Sequence, residues 1–275
     1  MSLNDNIVHQ EDKELFLQTL NKRGFLLEDK TWKIISENIH FRSLETNKII
    51  NHGEEKVEVD LIVLSGRHHL VIECKKTDYS WIFTRPIERP ETLNLLYDSD
   101  GGIKVRSRST SDFKVAWSGM ALMFNEDGRL ARQNRNRAQT TERDDIYEHI
   151  KQVLKETEFY ICTNRQHPSN LSDTPIVLTH IIIPIIVTNA RLGYLEYSKG
   201  DLSSNGDLIN YSNIKEVEGI VYNFPQIMKW DYWQQTVENL GGTLNQHHIK
   251  SIFIVNINYL SEFIKKILDQ ELTIR

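Results

Sequence analysis

The stretch VEVDLIVLSGRHHLVIECKKT, from Val57 to Thr77, decides the fold. Two runs rich in Val, Ile and Leu flank Ser65-Gly66-Arg67-His68, and a glycine at the first central position is what a two-residue type II′ hairpin turn requires. If Gly66 and Arg67 form the turn, Asp60 stands opposite Glu73 and Glu58 opposite Lys75. Side chains so paired have Cβ atoms roughly 4.5 to 5.5 Å apart, and like charges there are destabilising unless something neutralises them. A divalent cation would do so. Strand alternation puts Glu73 and Lys75 on one face and Cys74 on the other, where Val71 and Leu61 suggest a core. Two carboxylates and an amine then share a surface. Oxygen ligands of this kind suit Mg²⁺, which one or two carboxylates usually hold, with water and substrate phosphates completing its shell. An ammonium two residues from a ligand can orient an attacking water or balance charge building on a phosphate.

Asp60, followed after a hairpin by Glu73-Cys74-Lys75, resembles the PD-(D/E)XK motif of restriction-endonuclease-like nucleases in its ECK variant. The proline of the name is absent, since Val59 precedes Asp60. The resemblance implies that Asp60, Glu73 and the Cys74 carbonyl bind the catalytic metal, Mg²⁺ with Mn²⁺ as a substitute, and that Lys75 serves the attacking water. It also implies an α/β fold with a restriction-endonuclease-like core, a mixed β-sheet flanked by helices. The setting it implies is restriction, phage defence or repair. In this superfamily a helix before the first strand often donates another acid; RGFLLEDKTWKII looks like that helix, with Glu28 as the candidate and Glu37 as the competitor. Several similar nucleases place a glutamine from the helix after the E-X-K strand near the site. HIKQVLKETEFYI looks like that helix, which makes Gln152 the candidate, with Gln139 as the alternative.

Around the motif the chain alternates helical and strand patterns, which fits an α/β sandwich. Glu11 to Lys22 reads as a helix on Leu15, Phe16 and Leu20, with Gly24 as its C′ stop. Leu27 to Ile39 reads as a second, with Trp32, Ile35 and Ile39 inward. Phe41 to Ile50 is the first strand. Trp81 and Phe83 are core residues or aromatics at a cleft rim. Asp144 to Glu158 is a helix with an Ile146, Ile150, Val153 and Leu154 stripe. Pro175 to Val187 is a strand buried on both faces, and a second runs on to Tyr197. Ser251 to Asn256 is a strand, and Leu260 to Leu268 a closing helix.

Between these, Thr84 to Thr141 loses apolar periodicity. Pro86, Pro90 and Asp98-Ser99-Asp100-Gly101-Gly102 read as turns and irregular backbone, a basic insertion of about 84–141 over the substrate cleft. The formal charge of −5 argues against an indiscriminate nucleic-acid binder. Locally the balance reverses: from Lys104 to Arg143 basic residues outnumber acids, and Arg129, Arg132, Arg135 and Arg137 are the candidate DNA contacts.

The length suits one elaborated domain over 1–275. Two cysteines are too few for a disulfide framework or a CxxC zinc site, which points to a reducing cytoplasm. No apolar run approaches the roughly 20 residues of a membrane span. No Gly-rich phosphate loop appears, so no nucleotide cofactor is expected. Adjacent histidines such as His68-His69 and His247-His248 point apart and rarely share an ion. The expectation is a Mg²⁺-dependent DNA endonuclease, for which a homodimer would explain double-strand cuts. The alternatives are a catalytically silent nucleic-acid-binding or assembly module of the same fold, and an RNase or structure-specific nickase.

Overall fold

The turn after Ser65 forms as its glycine dictates. In the computed structural model, which describes residues 24–38, 40–99, 102–122, 146–166, 180–210, 214–225 and 249–269 together with Leu15 and Leu17, Gly66 has φ 57°, the left-handed region that only glycine enters without strain. Strands β2 (Glu55–Ser65) and β3 (His68–Lys75) then pair antiparallel from Ser65 with His68 to Leu61 with Ile72, the register expected from the turn. Strand β1 (Ser43–His52) pairs with the outer edge of β2.

Strand β3 runs parallel to β9 (His180–Thr188), and β9 parallel to β13 (Ile249–Asn256). Beyond β13 lie the antiparallel β12 (Gly219–Pro225) and the short β7 (Val115–Ala116). A hairpin of β5 (Thr92–Ser99) and β6 (Gly102–Ser109) joins this mixed sheet through the start of β9. Four further strands make a second sheet in the order β11 (Lys215–Val217), β10 (Leu192–Tyr197), β4 (Ser80–Pro86), β8 (Ser118–Leu122). The architecture is α/β, with mixed sheets flanked by helices.

The layers follow from which face each residue buries. Helices α1 (Phe25–Asn38) and α3 (Leu260–Asp269) cover one face of the large sheet, where Leu27 and Ile35 pack with Leu61, Ile72, Cys74 and Val187. Helix α2 (Ile146–Gln166) and the second sheet cover the other, where Ile150, Val153 and Leu154 pack with Val71, Ile186, Trp81 and Phe83. At about 25 cal/mol per Å² of apolar surface removed from water, two such interfaces supply the main force holding the layers together. No described helix is long and apolar enough to cross a membrane.

Several sequence expectations need correction. The segment from Thr84 to Leu122 is not irregular: it contributes β4 to β8, and β4 is the centre of the second sheet. The prolines that suggested loops sit at strand ends, Pro86 closing β4 and Pro90 lying between β4 and β5, where a missing N–H costs no ladder bond. Of the two readings of Trp81 and Phe83 the core one holds, since both are fully buried and pack in one cluster with residues of α2. The Gly24 carbonyl accepts from Leu27 and Glu28 and starts α1, while the residues just before it lie outside the described ones. Trp32 is 46% exposed, and Thr31 takes the inward position between Leu27 and Ile35. A buried threonine is tolerated there because its hydroxyl donates to the Leu27 carbonyl at 2.7 Å. Val71 packs on the face opposite to Cys74. Helix α2 runs past Glu158 to Gln166, and the strand expected after Val187 begins only at Leu192, in the second sheet. Arg129, Arg132, Arg135, Arg137, Gln139, Ile39, the His247-His248 pair and nearly all of the Glu11 to Lys22 helix lie outside the described residues.

Candidate active site at the carboxyl end of β3

Asp60 occupies a fault in the sheet. The β1 ladder pairs Thr46 with Leu61 and Lys48 with Val59, passing over Asn47 and Asp60, and Asn47 has the left-handed φ of 47°. Side-chain alternation slips at the same point. Val57 and Val59 pack with Ile62 and Leu64 on the α2 face, while Leu61 and Val63 pack on the α1 face. The ladder to β3 has also ended at Leu61, so the Cys74 N–H has no strand partner on that side. It donates instead to Asp60 Oδ2 at 2.7 Å. Because the N–H and C=O of one strand residue point to the same side, the Cys74 carbonyl faces the Asp60 side as well. Glu58 is therefore not the partner of Lys75; it stands opposite Ile49 of β1.

Glu73 continues β3 beside β9, opposite Ile186, and only 3% of it is exposed. Its Oε1 accepts from Gln152 Nε2 of α2 at 2.8 Å and also meets the Lys75 ammonium. Its Oε2 is buried without a partner among the described residues. A buried carboxylate oxygen left unpaired is expensive. The cost is visible next door, where Asp60 is pushed up to about 7, first by burial and then by the charge of Glu73.

Of the two helix acids, the structure brings Glu28 to the site and leaves Glu37 outside. Glu28, half-buried on the first turn of α1, is held above the usual carboxylate range by burial and then by the charges of Glu73 and Glu58. Glu37 is exposed and faces Lys33 at 3.9 Å. Cys74 itself points away into the α1 interface, its Sγ 3.5 Å from the Thr31 hydroxyl, and burial pushes its thiol up. Only its main chain faces the acids.

Glu156 was not singled out from the sequence. It is 1% exposed, lies one helical turn beyond Gln152, and is pushed up to about 10 by burial, then by the charge of Glu73 and by hydrogen bonding with that carboxyl. Like Glu73, it has a buried Oε2 with no partner among the described residues. The signal was present: residues four apart share a helix face, so a glutamine read as facing the site carries position 156 with it.

The surrounding backbone is tied down. Asn189 grips the turn after β3, accepting from Thr77 N at 2.8 Å and donating to Thr77 O at 2.9 Å. Asn256 at the end of β13 donates to Ala190 O at 2.8 Å. The carboxyl ends of the three parallel strands are thus fixed to one another, the place where open α/β sheets bind ligands. Among the described residues, no three His, Cys, Asp or Glu side chains converge closely enough to hold a metal ion by themselves. What converges is two carboxylates and a main-chain carbonyl, a set that suits a hard cation keeping several waters. Comparison with protein-family models, curated proteins and solved structures found no match for this chain.

Proposed function

We propose that this chain is a Mg²⁺-dependent nuclease acting on DNA, an endonuclease built on a restriction-endonuclease-like core. The observation that carries the reading is the buried Glu73 oxygen without a partner, beside an Asp60 carboxyl that burial and repulsion hold at about 7 and an ammonium from Lys75. Such an arrangement is costly to the fold alone and suited to a divalent cation. Asp60, Glu73 and the Cys74 carbonyl would hold Mg²⁺ or Mn²⁺. The ion supplies Lewis-acid polarisation of a phosphate and a lower pKa for an attacking water.

The chain's own groups do the rest. Lys75, which meets Glu73 Oε1, orients the water and offsets charge gathering on the phosphate oxygens. Gln152 holds Glu73 by its amide. Glu28, at the half-exposed edge, faces the same acids and completes the rim through which substrate enters. Arg129, Arg132, Arg135 and Arg137 serve as phosphate contacts that bind without reading sequence.

The test is incubation with plasmid, single-stranded DNA and RNA in Mg²⁺, Mn²⁺, Ca²⁺ and EDTA. Nicking or degradation of DNA in Mg²⁺ or Mn²⁺, with none in EDTA, is expected. Ca²⁺, larger and looser in geometry, should support binding with little cleavage. Full activity in EDTA would overturn the metal mechanism, and cleavage of RNA alone would overturn the substrate.

A further inference from the structure

Gln152 and Glu156 belong to one face of α2, and both act on the same carboxylate of β3. Gln152 Nε2 and the Lys75 ammonium occupy Glu73 Oε1, leaving Oε2 without a partner among the described residues. One helical turn beyond Gln152, Glu156 has almost none of its surface exposed, its carboxyl hydrogen-bonds with that of Glu73, and its Oε2 is buried without a partner among the described residues. A carboxyl so placed has no reason to be there for packing: a leucine would fill the volume without desolvating a polar group. Its helix is rigidly seated, with Ile146, Ile150, Val153 and Leu154 buried in the core and the Thr157 hydroxyl returned to Val153 O at 2.7 Å.

We infer that Glu156 is a positioning residue, which with Gln152 forms a two-point clamp that fixes the Glu73 carboxylate so that Oε2 is presented to the bound cation. This rests on the nuclease reading above and deepens it. Side chains that orient a metal ligand act on metal affinity and activity by about 10- to 100-fold when removed. A side chain that is itself a ligand must keep its charge. A positioning group needs only its length and a hydrogen-bonding end, which an amide also has.

The experiment is a calorimetric Mg²⁺ titration of wild type, Glu156→Gln, Glu156→Leu and Glu156→Ala, with melting temperatures and plasmid cleavage measured on the same samples. Glu156→Gln should bind Mg²⁺ within about threefold of wild type. Glu156→Leu should fold at least as stably, yet bind Mg²⁺ about 10- to 100-fold more weakly and lose a similar factor in cleavage. Glu156→Ala supplies the same comparison should the leucine variant fail to fold. Glu156→Gln binding as poorly as Glu156→Leu would make Glu156 a ligand and overturn the clamp. Wild-type affinity in folded Glu156→Leu or Glu156→Ala would make it merely structural. A wild-type protein that takes up no Mg²⁺ at all would instead sink the nuclease reading, and the clamp with it.

Discussion

Strand β3 begins with His68-His69 and ends with Glu73-Cys74-Lys75, and the fold treats its two polar ends differently. At the start, His69 Nδ1 shares a 2.8 Å hydrogen bond with the Tyr160 hydroxyl, and its ring lies 4.5 Å from that of His180. Burial, then the neighbouring His180 and His68, pull His69 down to about 4, so it is neutral across the physiological range. At the carboxyl end the same strand gathers Asp60, Glu73, Glu156 and Lys75, with buried oxygens unpaired and carboxyls held above their usual range. Both ends rest against α2. A neutral ring meets the cost of burial by giving up its charge and keeping a hydrogen bond; Asp60 and Glu156 give up charge as well, by holding their protons to higher pH, while Glu73 and Glu156 each keep a buried oxygen without a partner among the described residues. Among the described residues both ends keep buried polar atoms without partners, His68 Nε2 and His180 Nδ1 at the start and the Oε2 atoms of Glu73 and Glu156 at the finish; only the carboxyl end crowds like charges, a pattern found at functional sites.

The contrast breaks most visibly in cleavage. Asp60→Ala, Glu73→Ala and Lys75→Ala should each reduce plasmid cleavage by at least about 10²-fold. Their losses should not add in the double variants, because the groups act as a unit. Near wild-type rates for Lys75→Ala would remove its proposed role.

Stability without metal should fall on both sides of a maximum, for opposite reasons. The folded pKa values of Asp60, about 7, and Glu156, about 10, lie above their unfolded values of 3.8 and 4.5. The fold therefore binds more protons than the unfolded chain between those limits, and stability drops as pH rises through them. Melting temperatures in EDTA should decline from pH 5 to pH 9, Glu156→Gln should flatten the alkaline part, and Mg²⁺ at about 100 times its Kd should return about 2.7 kcal/mol. A flat profile would mean the carboxyls are not held in this way. His69 runs the other way: its folded value of about 4 lies below the unfolded 6.5, so stability is lost as pH falls between them.

Gly66→Ala should cost about 1 to 2 kcal/mol by forcing a left-handed φ on a residue with a Cβ, seen as a lower melting temperature. It loosens the turn that sets the register of both ends. The smallest effect should come from His69→Phe, about 1 kcal/mol for the lost Tyr160 hydrogen bond, together with a flatter acid limb. Its cleavage rate should match wild type; a large loss would mean the two ends of β3 are coupled.

Much of the site was legible because local rules determine it. A glycine with two flanking apolar runs fixes a turn, the turn fixes a register, and the register puts Asp60 near Glu73. The sequence failed where a long-range partner decides. Glu58 was expected beside Lys75 because an antiparallel ladder was extended past Leu61, whereas that ladder ends at Leu61 and Ile72, next to the break at Asn47 and Asp60, and only β9 on the other edge of β3 continues to Lys75. The stretch after Thr84 read as irregular in part because some of its polar residues, such as Arg85 and Asn94, are buried against strands far away in sequence. Asn94 meets Ser251 and Asn223 in a hydrogen-bonded group inside the large sheet, so alternation of polar and apolar residues there reports nothing about exposure.

From the sequence alone come the hairpin, the acids and lysine on it and the apolar stripe of α2, each carried by residues near one another in the chain; the candidacy of Glu28 and Gln152 came from the resemblance to restriction-endonuclease-like nucleases. Tertiary structure decided the rest: that Glu28 and not Glu37 reaches the acids, that Gln152 bonds Glu73, that Glu156 is buried beside it, and that Asp60 caps the Cys74 amide. These depend on how α1 and α2 sit across β3, which is set by packing between distant segments and by the cost of leaving buried polar groups unpaired. No local pattern encodes that cost; it exists only once the layers have closed around the strand.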